Sequence, residues 1–141
     1  MLTPFHLAIH VRDLDAARAF YGGLLGCTEG RSASTWVDFD FFGHRLSLHL
    51  GTPFAHTATR RVGDHSVPMP HFGVVLLLPK WEALAMRLAS CGVDFVLPPT
   101  VLFEGEPGEQ WTMVLVDPSG NPIAIKGLPT PEATGAKLRA G

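Results

Sequence analysis

No run of about 18 apolar residues occurs in this 141-residue sequence, so no transmembrane helix and no membrane partner are expected. The opening residues, MLTPFHLA, lack a basic region followed by an apolar segment, which predicts no export signal and a cytoplasmic location. Only two cysteines are present, Cys27 and Cys91. One pair cannot form a disulfide framework, and both are expected as buried thiols in a reducing compartment. Charge is sparse as well. Charged residues make up 17%, the net charge is -2 and no long basic run occurs, which argues against nucleic acid as a partner. There is no nucleotide-binding loop, Ser/His/Asp elbow or CxxC pair. Apolar residues, by contrast, reach 46%, enough for a core, and the length fits one domain or two small modules.

The chain is organised by a duplication. FHLAIHVRDLDAARAFYGGLLG at 5–26 reads as a strand, a turn and a helix, and HFGVVLLLPKWEALAMRLASCG at 71–92 repeats that plan. His6 lies 20 positions before Gly26 and His71 lies 21 before Gly92, so each copy has one histidine at its head. Cys27 and Cys91 hold matching places in the two copies. In the first strand Phe5, Leu7, Ile9 and Val11 alternate with His6, Ala8 and His10, the second set suiting the concave side of a sheet. Asp13 is a good N-cap, and Leu14, Ala17, Phe20, Tyr21, Leu24 and Leu25 recur at helical spacing, predicting a helix over 13–25. A short strand near 27–31 and a hairpin of 35–41 and 45–50 about Gly43 complete a β-α-β-β-β module.

Residues 51–70 show no period, and a connection of that length is a surface crossing or a lid. The second copy predicts a helix over 80–91 and a strand at 94–97 broken by Pro98-Pro99. A further stretch at 100–104 is either another strand or its continuation. Strands at 110–116 and 122–126 flank a DPSGN turn. Pro122 suits an edge or the first position of its strand. The expected division is a first module at 1–52, a linker or lid at 53–69, a second module at 70–127 and a flexible tail at 128–141.

HLAIHVRDLDAARAFYGGLLG at 6–26, PHFGVVL at 70–76 and DPSGNPIAIKG at 117–127 resemble the vicinal oxygen chelate superfamily, also called the glyoxalase/bleomycin-resistance/extradiol dioxygenase family. The resemblance covers nearly all of residues 5–127 and is specific for the fold rather than for a reaction. It implies an α+β protein in which two paired βαβββ modules form an eight-stranded, partly open mixed barrel around a cavity. It implies a divalent metal there, with His6 and His71 as ligands, a small-molecule substrate or ligand, and a homodimer. A third ligand in the family is a Glu four residues after the Gly of the DP-x-G-N turn, and here that position is Ala124, which cannot bind a metal.

Two histidines and a carboxylate suit Fe(II) or Mn(II), whereas a third imidazole leans toward Zn(II) or Fe(II). Aligning the turns at Gly43 and Gly120 sets Ser47 opposite Ala124 and His49 opposite Lys126. His49 therefore has the parity of a ligand but sits roughly 6.6 Å further along. Its two readings are a replacement third ligand and a polar pocket wall. His10, Ser47 and Lys126 are candidates for substrate contact, His10 as a pocket wall or base and Lys126 as a partner for an anion or an edge guard. His44, His56 and His65 are expected on the surface or in loops. Glu104, Glu106 and Glu109 are expected as solvated loop charges, and Trp36, Trp111 and Phe103 as core or cavity walls.

Two functions follow. One is a metal-dependent enzyme of the glyoxalase or dioxygenase type, a lyase or an oxidoreductase, whose metal chelates substrate oxygens. The other is a non-catalytic protein of the bleomycin-resistance type that sequesters a small planar or amphipathic ligand and has lost a metal ligand at Ala124.

Overall fold

The first strand, β1 (His6–Val11), buries Ile9 and Val11 and exposes His6, Ala8 and His10, as its alternation dictates. Asp13 caps helix α1 (Leu14–Arg18), its Oδ1 accepting from the Ala16 amide at 3.0 Å. The predicted 13–25 helix does not continue as α-helix. From Ala19 to Leu24 it widens to a π-helical turn, with the Leu25 amide bonded to the Phe20 carbonyl. Gly22 and Gly23 lie in this turn and lower its resistance to leaving α geometry. Strands β2 (Thr28–Ala33), β3 (Trp36–Phe41) and β4 (His44–Leu50) follow, giving the sheet order β1-β4-β3-β2. β1 and β4 run parallel and the other neighbours antiparallel. The computed structural model describes residues 3–62 and 65–129.

Residues of the expected aperiodic linker form a two-stranded antiparallel hairpin, β5 (Thr57–Val62) and β6 (His65–Met69). The second module then repeats the first. β7 (Phe72–Leu77), α2 (Leu78–Ser90), β8 (Phe95–Leu102), β9 (Gln110–Val116) and β10 (Pro122–Leu128) give the sheet order β7-β10-β9-β8, with β7 parallel to β10. The helix starts earlier than its apolar stripe, because Pro79 fits the first turn, where an amide has no partner to lose. Pro98-Pro99 does not break β8. It shifts the register on an edge strand, where a missing donor is tolerated. Pro122 takes the first position of the central strand β10. The expected tail lies outside the described residues from 130 onward, as does the side chain of His65.

The fold is thus α+β, with two βαβββ modules, each built on an open four-stranded mixed sheet. By contacts the chain divides into Met1–Ala55 with Asp117–Asn121, and His56–Val116 with Pro122–Gly141. In the first unit α1 and the π turn supply Leu14, Ala17, Phe20 and Tyr21 to the core, and the sheet supplies Val37, Phe39, Phe41, Leu46 and Leu48. Tyr21 is fully buried and donates to Asp117 Oδ2 at 2.8 Å. Asp117 also accepts from the amides of Ser119 and Asn121 and from Asn121 Nδ2, so the DPSGN turn is a buried polar knot. Asn121 Nδ2 further reaches the His10 carbonyl at 3.0 Å, tying the knot to the end of β1. The second unit buries Trp81, Leu84, Ala85 and Leu88 of α2, and Trp81 Nε1 donates to the Ile125 carbonyl at 2.9 Å.

The cysteines differ from expectation. Cys91 is exposed, because it ends α2 on its solvent side, and Cys27 is half-buried. Phe103, expected as a wall, is 47% exposed just beyond β8 at a positive φ of 55°.

Candidate functional site

Strand parity puts a row of polar side chains on one face of the first sheet. The β3–β4 hairpin turns through Phe42 and Gly43, both at positive φ, which is a two-residue hairpin geometry. That turn fixes Asp40 opposite Arg45, Asp38 opposite Ser47 and Trp36 opposite His49. The parallel β1–β4 register adds His6 beside Arg45, Ala8 beside Ser47 and His10 beside His49. Four of the expected site residues, His6, His10, Ser47 and His49, therefore share this face.

The centre of the face is a dyad. Ser47 Oγ donates to Asp38 Oδ1 at 2.5 Å, a charge-assisted bond that orients both side chains. Ser47 is only 5% exposed. At one end the His49 ring stacks on Trp36, with centroids 6.2 Å apart and planes 27° apart. His10 Nδ1 lies 3.2 Å from the Thr52 carbonyl, an acceptor, so Nδ1 carries the proton and Nε2 keeps its lone pair. A Cβ on Gly51 would meet the His10 ring at 2.6 Å, so glycine is what allows the ring to lie there. At the hairpin end a cavity of about 580 Å³ is lined by Arg31, Asp38, Asp40, His44 and Arg45 among others. His44 is thus not a bystander on the surface: it opens β4, and its Nδ1 accepts from the Phe5 amide at 2.8 Å.

The matching row of the second sheet has lost its polarity. Ala124 pairs with Gly73 on β7 and with Val114 on β9, as Ser47 pairs with Ala8 and Asp38. Ala124 is 6% exposed and clusters with Val67 of β6, Leu97 of β8 and Val114 of β9. A Cβ on Gly73 would collide with the Ala124 carbonyl oxygen, so the two strands close on each other there. Apolar side chains thus fill the space around position 124.

His71 stands just before β7, rather than in it, and is half-buried. Its Nδ1 lies 2.7 Å from the Pro68 carbonyl, which again leaves Nε2 as the free lone pair. Lys126 is half-buried on β10, opposite Thr112 and Val75. Among the described residues no three His, Cys, Asp or Glu side chains gather in a way that holds a metal ion. The donor set around position 124 does not fit a two-histidine, one-carboxylate centre, because the third place is apolar and packed.

Sequence reasoning missed Asp38, Asp40, Arg31, Arg45 and His44. The turn at Phe42-Gly43 was the available signal, since a two-residue hairpin sets Asp38 across from Ser47.

Comparison with known proteins agrees with this architecture. The model of the Glyoxalase/Bleomycin resistance protein/Dioxygenase superfamily matches residues 3–125. A glyoxalase/bleomycin resistance protein/dioxygenase from Alicyclobacillus acidocaldarius is 32% identical, with a TM-score of 0.73, over 93% of this chain and 95% of that one. The genomically encoded fosfomycin resistance protein FosX from Listeria monocytogenes is 18% identical, with a TM-score of 0.67, over 94% and 98%. Lactoylglutathione lyase from Agrobacterium tumefaciens is 17% identical, with a TM-score of 0.61, over 90% and 94%. The last two likenesses are of fold alone. No curated protein matches. With the duplicated βαβββ module, the DPSGN knot, the family model across 3–125 and the 32% identical relative all in agreement, the chain belongs to the Glyoxalase/Bleomycin resistance protein/Dioxygenase superfamily.

Proposed function

We propose that this protein binds a small organic molecule on the polar face of its first sheet and acts as a sequestering protein, a cytoplasmic homodimer of the bleomycin-resistance kind. The observation that carries the reading is the divergence of two equivalent rows. Ala8, Ser47 and Asp38 make an oriented polar row, whereas Gly73, Ala124 and Val114 make an apolar one. Recognition groups are concentrated on the first sheet, and the third ligand place is packed shut. The Trp36–His49 stack offers a planar surface for an unsaturated ligand, and the Ser47–Asp38 dyad beside it offers a fixed acceptor.

The test is a fragment screen read by amide chemical shifts of isotope-labelled protein. Hits should cluster on β1, β3 and β4, and Asp38→Asn should weaken them. Hits confined to other strands, or none at all, would overturn the reading. Light scattering on a sizing column checks the dimer.

A second reading keeps a metal-dependent glyoxalase- or dioxygenase-type enzyme with His6, His71 and His49 as ligands. It is favoured by the Pro68 carbonyl, which holds the His71 ring in the tautomer a ligand needs. Elemental analysis after reconstitution with Fe(II), Mn(II) and Zn(II) separates the two. Stoichiometric metal that disappears in both His6→Ala and His71→Ala supports the enzyme; substoichiometric metal, the same in all three proteins, supports the binder.

A further inference from the structure

We propose that the cavity at the hairpin end of the first sheet takes a small zwitterion, a molecule carrying a phosphate or carboxylate beside an ammonium group. The proposal rests on the reading that ligands bind this face. Arg45 on β4 stands directly opposite Asp40 on β3, where opposite charges ordinarily pair across strands. Yet neither Arg45 nor Arg31 makes a side-chain hydrogen bond or ion pair among the described residues. Arg31 follows Gly30 in the bulge of β2, between Glu29 and Ser32, where the ladder with β3 slips. A bulge re-aims the side chain that it leaves out of register, and here Arg31 lines the cavity. His44 adds a third donor. Its Nδ1 is occupied by the Phe5 amide, so the neutral ring carries its proton on Nε2.

The acceptors are as open as the donors. Asp38 accepts from Ser47 on Oδ1 alone, and Asp40 accepts from the Gly43 amide on Oδ1 alone. The second oxygen of each has no partner among the described residues. A simple anion in the cavity would meet two carboxylates, and a simple cation would meet two guanidiniums. A zwitterion satisfies both, its anionic group on the guanidiniums and its ammonium on the aspartates. The volume of about 580 Å³ is that of a small-molecule site.

The experiment titrates metal-stripped protein with O-phosphoethanolamine, and separately with inorganic phosphate and with ethanolamine, by calorimetry. The zwitterion should bind more tightly than either half. Arg45→Gln and Arg31→Gln should each weaken it by about ten-fold or more, the loss expected for one charge-assisted hydrogen bond. Asp38→Asn should erase the preference for the zwitterion over phosphate, and Glu82→Gln on α2 should bind as the wild type does. No heat with the zwitterion at millimolar concentration, or wild-type affinity in both arginine variants, would overturn the proposal. If neutral fragments still shift amides of β1, β3 and β4 in that case, the wider reading stands and only the ligand class falls.

Discussion

Ala124 concentrates what is unusual about this chain. Its methyl group sits among Val67, Leu97 and Val114, on the face where its counterpart Ser47 meets a carboxylate. Polarity is costly there, since a buried charge without a partner loses its hydration and gains nothing in return. Ala124→Glu also adds volume to a packed cluster. The variant should lose about 3 kcal/mol or more, read as the shift of the urea midpoint. Added Fe(II) or Mn(II) should not restore the loss. Recovery of the midpoint with metal would mean that the new carboxylate reaches an ion, so that position 124 is not closed by its apolar neighbours. That residue 124 carries no ligating group was legible from the residue alone. Its consequence was not, because Val67 comes from a hairpin that has no periodic signature.

The elements show the same division between what pattern reveals and what it hides. The βαβββ plan was legible because β1 and β3 bury alternate residues, because α2 has one apolar stripe, and because the strand-and-helix plan recurs. The β5–β6 hairpin was hidden, since residues 57–69 carry no run of alternating apolar residues to mark a strand. The π turn was hidden for another reason: Phe20, Tyr21, Leu24 and Leu25 fit helical spacing whether the bonds close at four residues or five. Two glycines test these elements in opposite directions. Gly43 has φ at +91° in the β3–β4 turn that aligns Asp38 with Ser47. Gly43→Ala should therefore cost about 1 kcal/mol and loosen the site through the turn. Gly23 has open space around it and no positive φ. Gly23→Ala should instead stabilise by about 0.5–1 kcal/mol, chiefly by restricting the unfolded chain. Equal destabilisation by the two substitutions would contradict the turn geometry assigned here.

For the molecule as a whole, the first unit carries two buried groups that couple stability to alkaline pH. Burial pushes the Cys27 thiol from 9.0 to about 11, and the negative charge of Asp40 adds to this. Burial likewise drives Tyr21 well above its ordinary 10.0, helped by the charge and the hydrogen bond of Asp117. Both groups are neutral when protonated, and both hold their proton more tightly in the folded state. The sign follows: above 9.0 the unfolded chain releases the Cys27 proton while the folded chain keeps it, so the unfolded state gains stability relative to the folded one. The Cys27 contribution should be level below that pH and fall as pH rises from 9.0 to about 11, with Tyr21 extending the fall beyond it. Urea midpoints measured across this range should decline in the wild type. Cys27→Ala should flatten the part between 9.0 and 10.0 and leave only the Tyr21 part of the fall above it. An unchanged slope in Cys27→Ala would show that the thiol is not the group responsible, and would leave the Tyr21–Asp117 knot to account for the loss, which Tyr21→Phe then tests by removing the remaining proton.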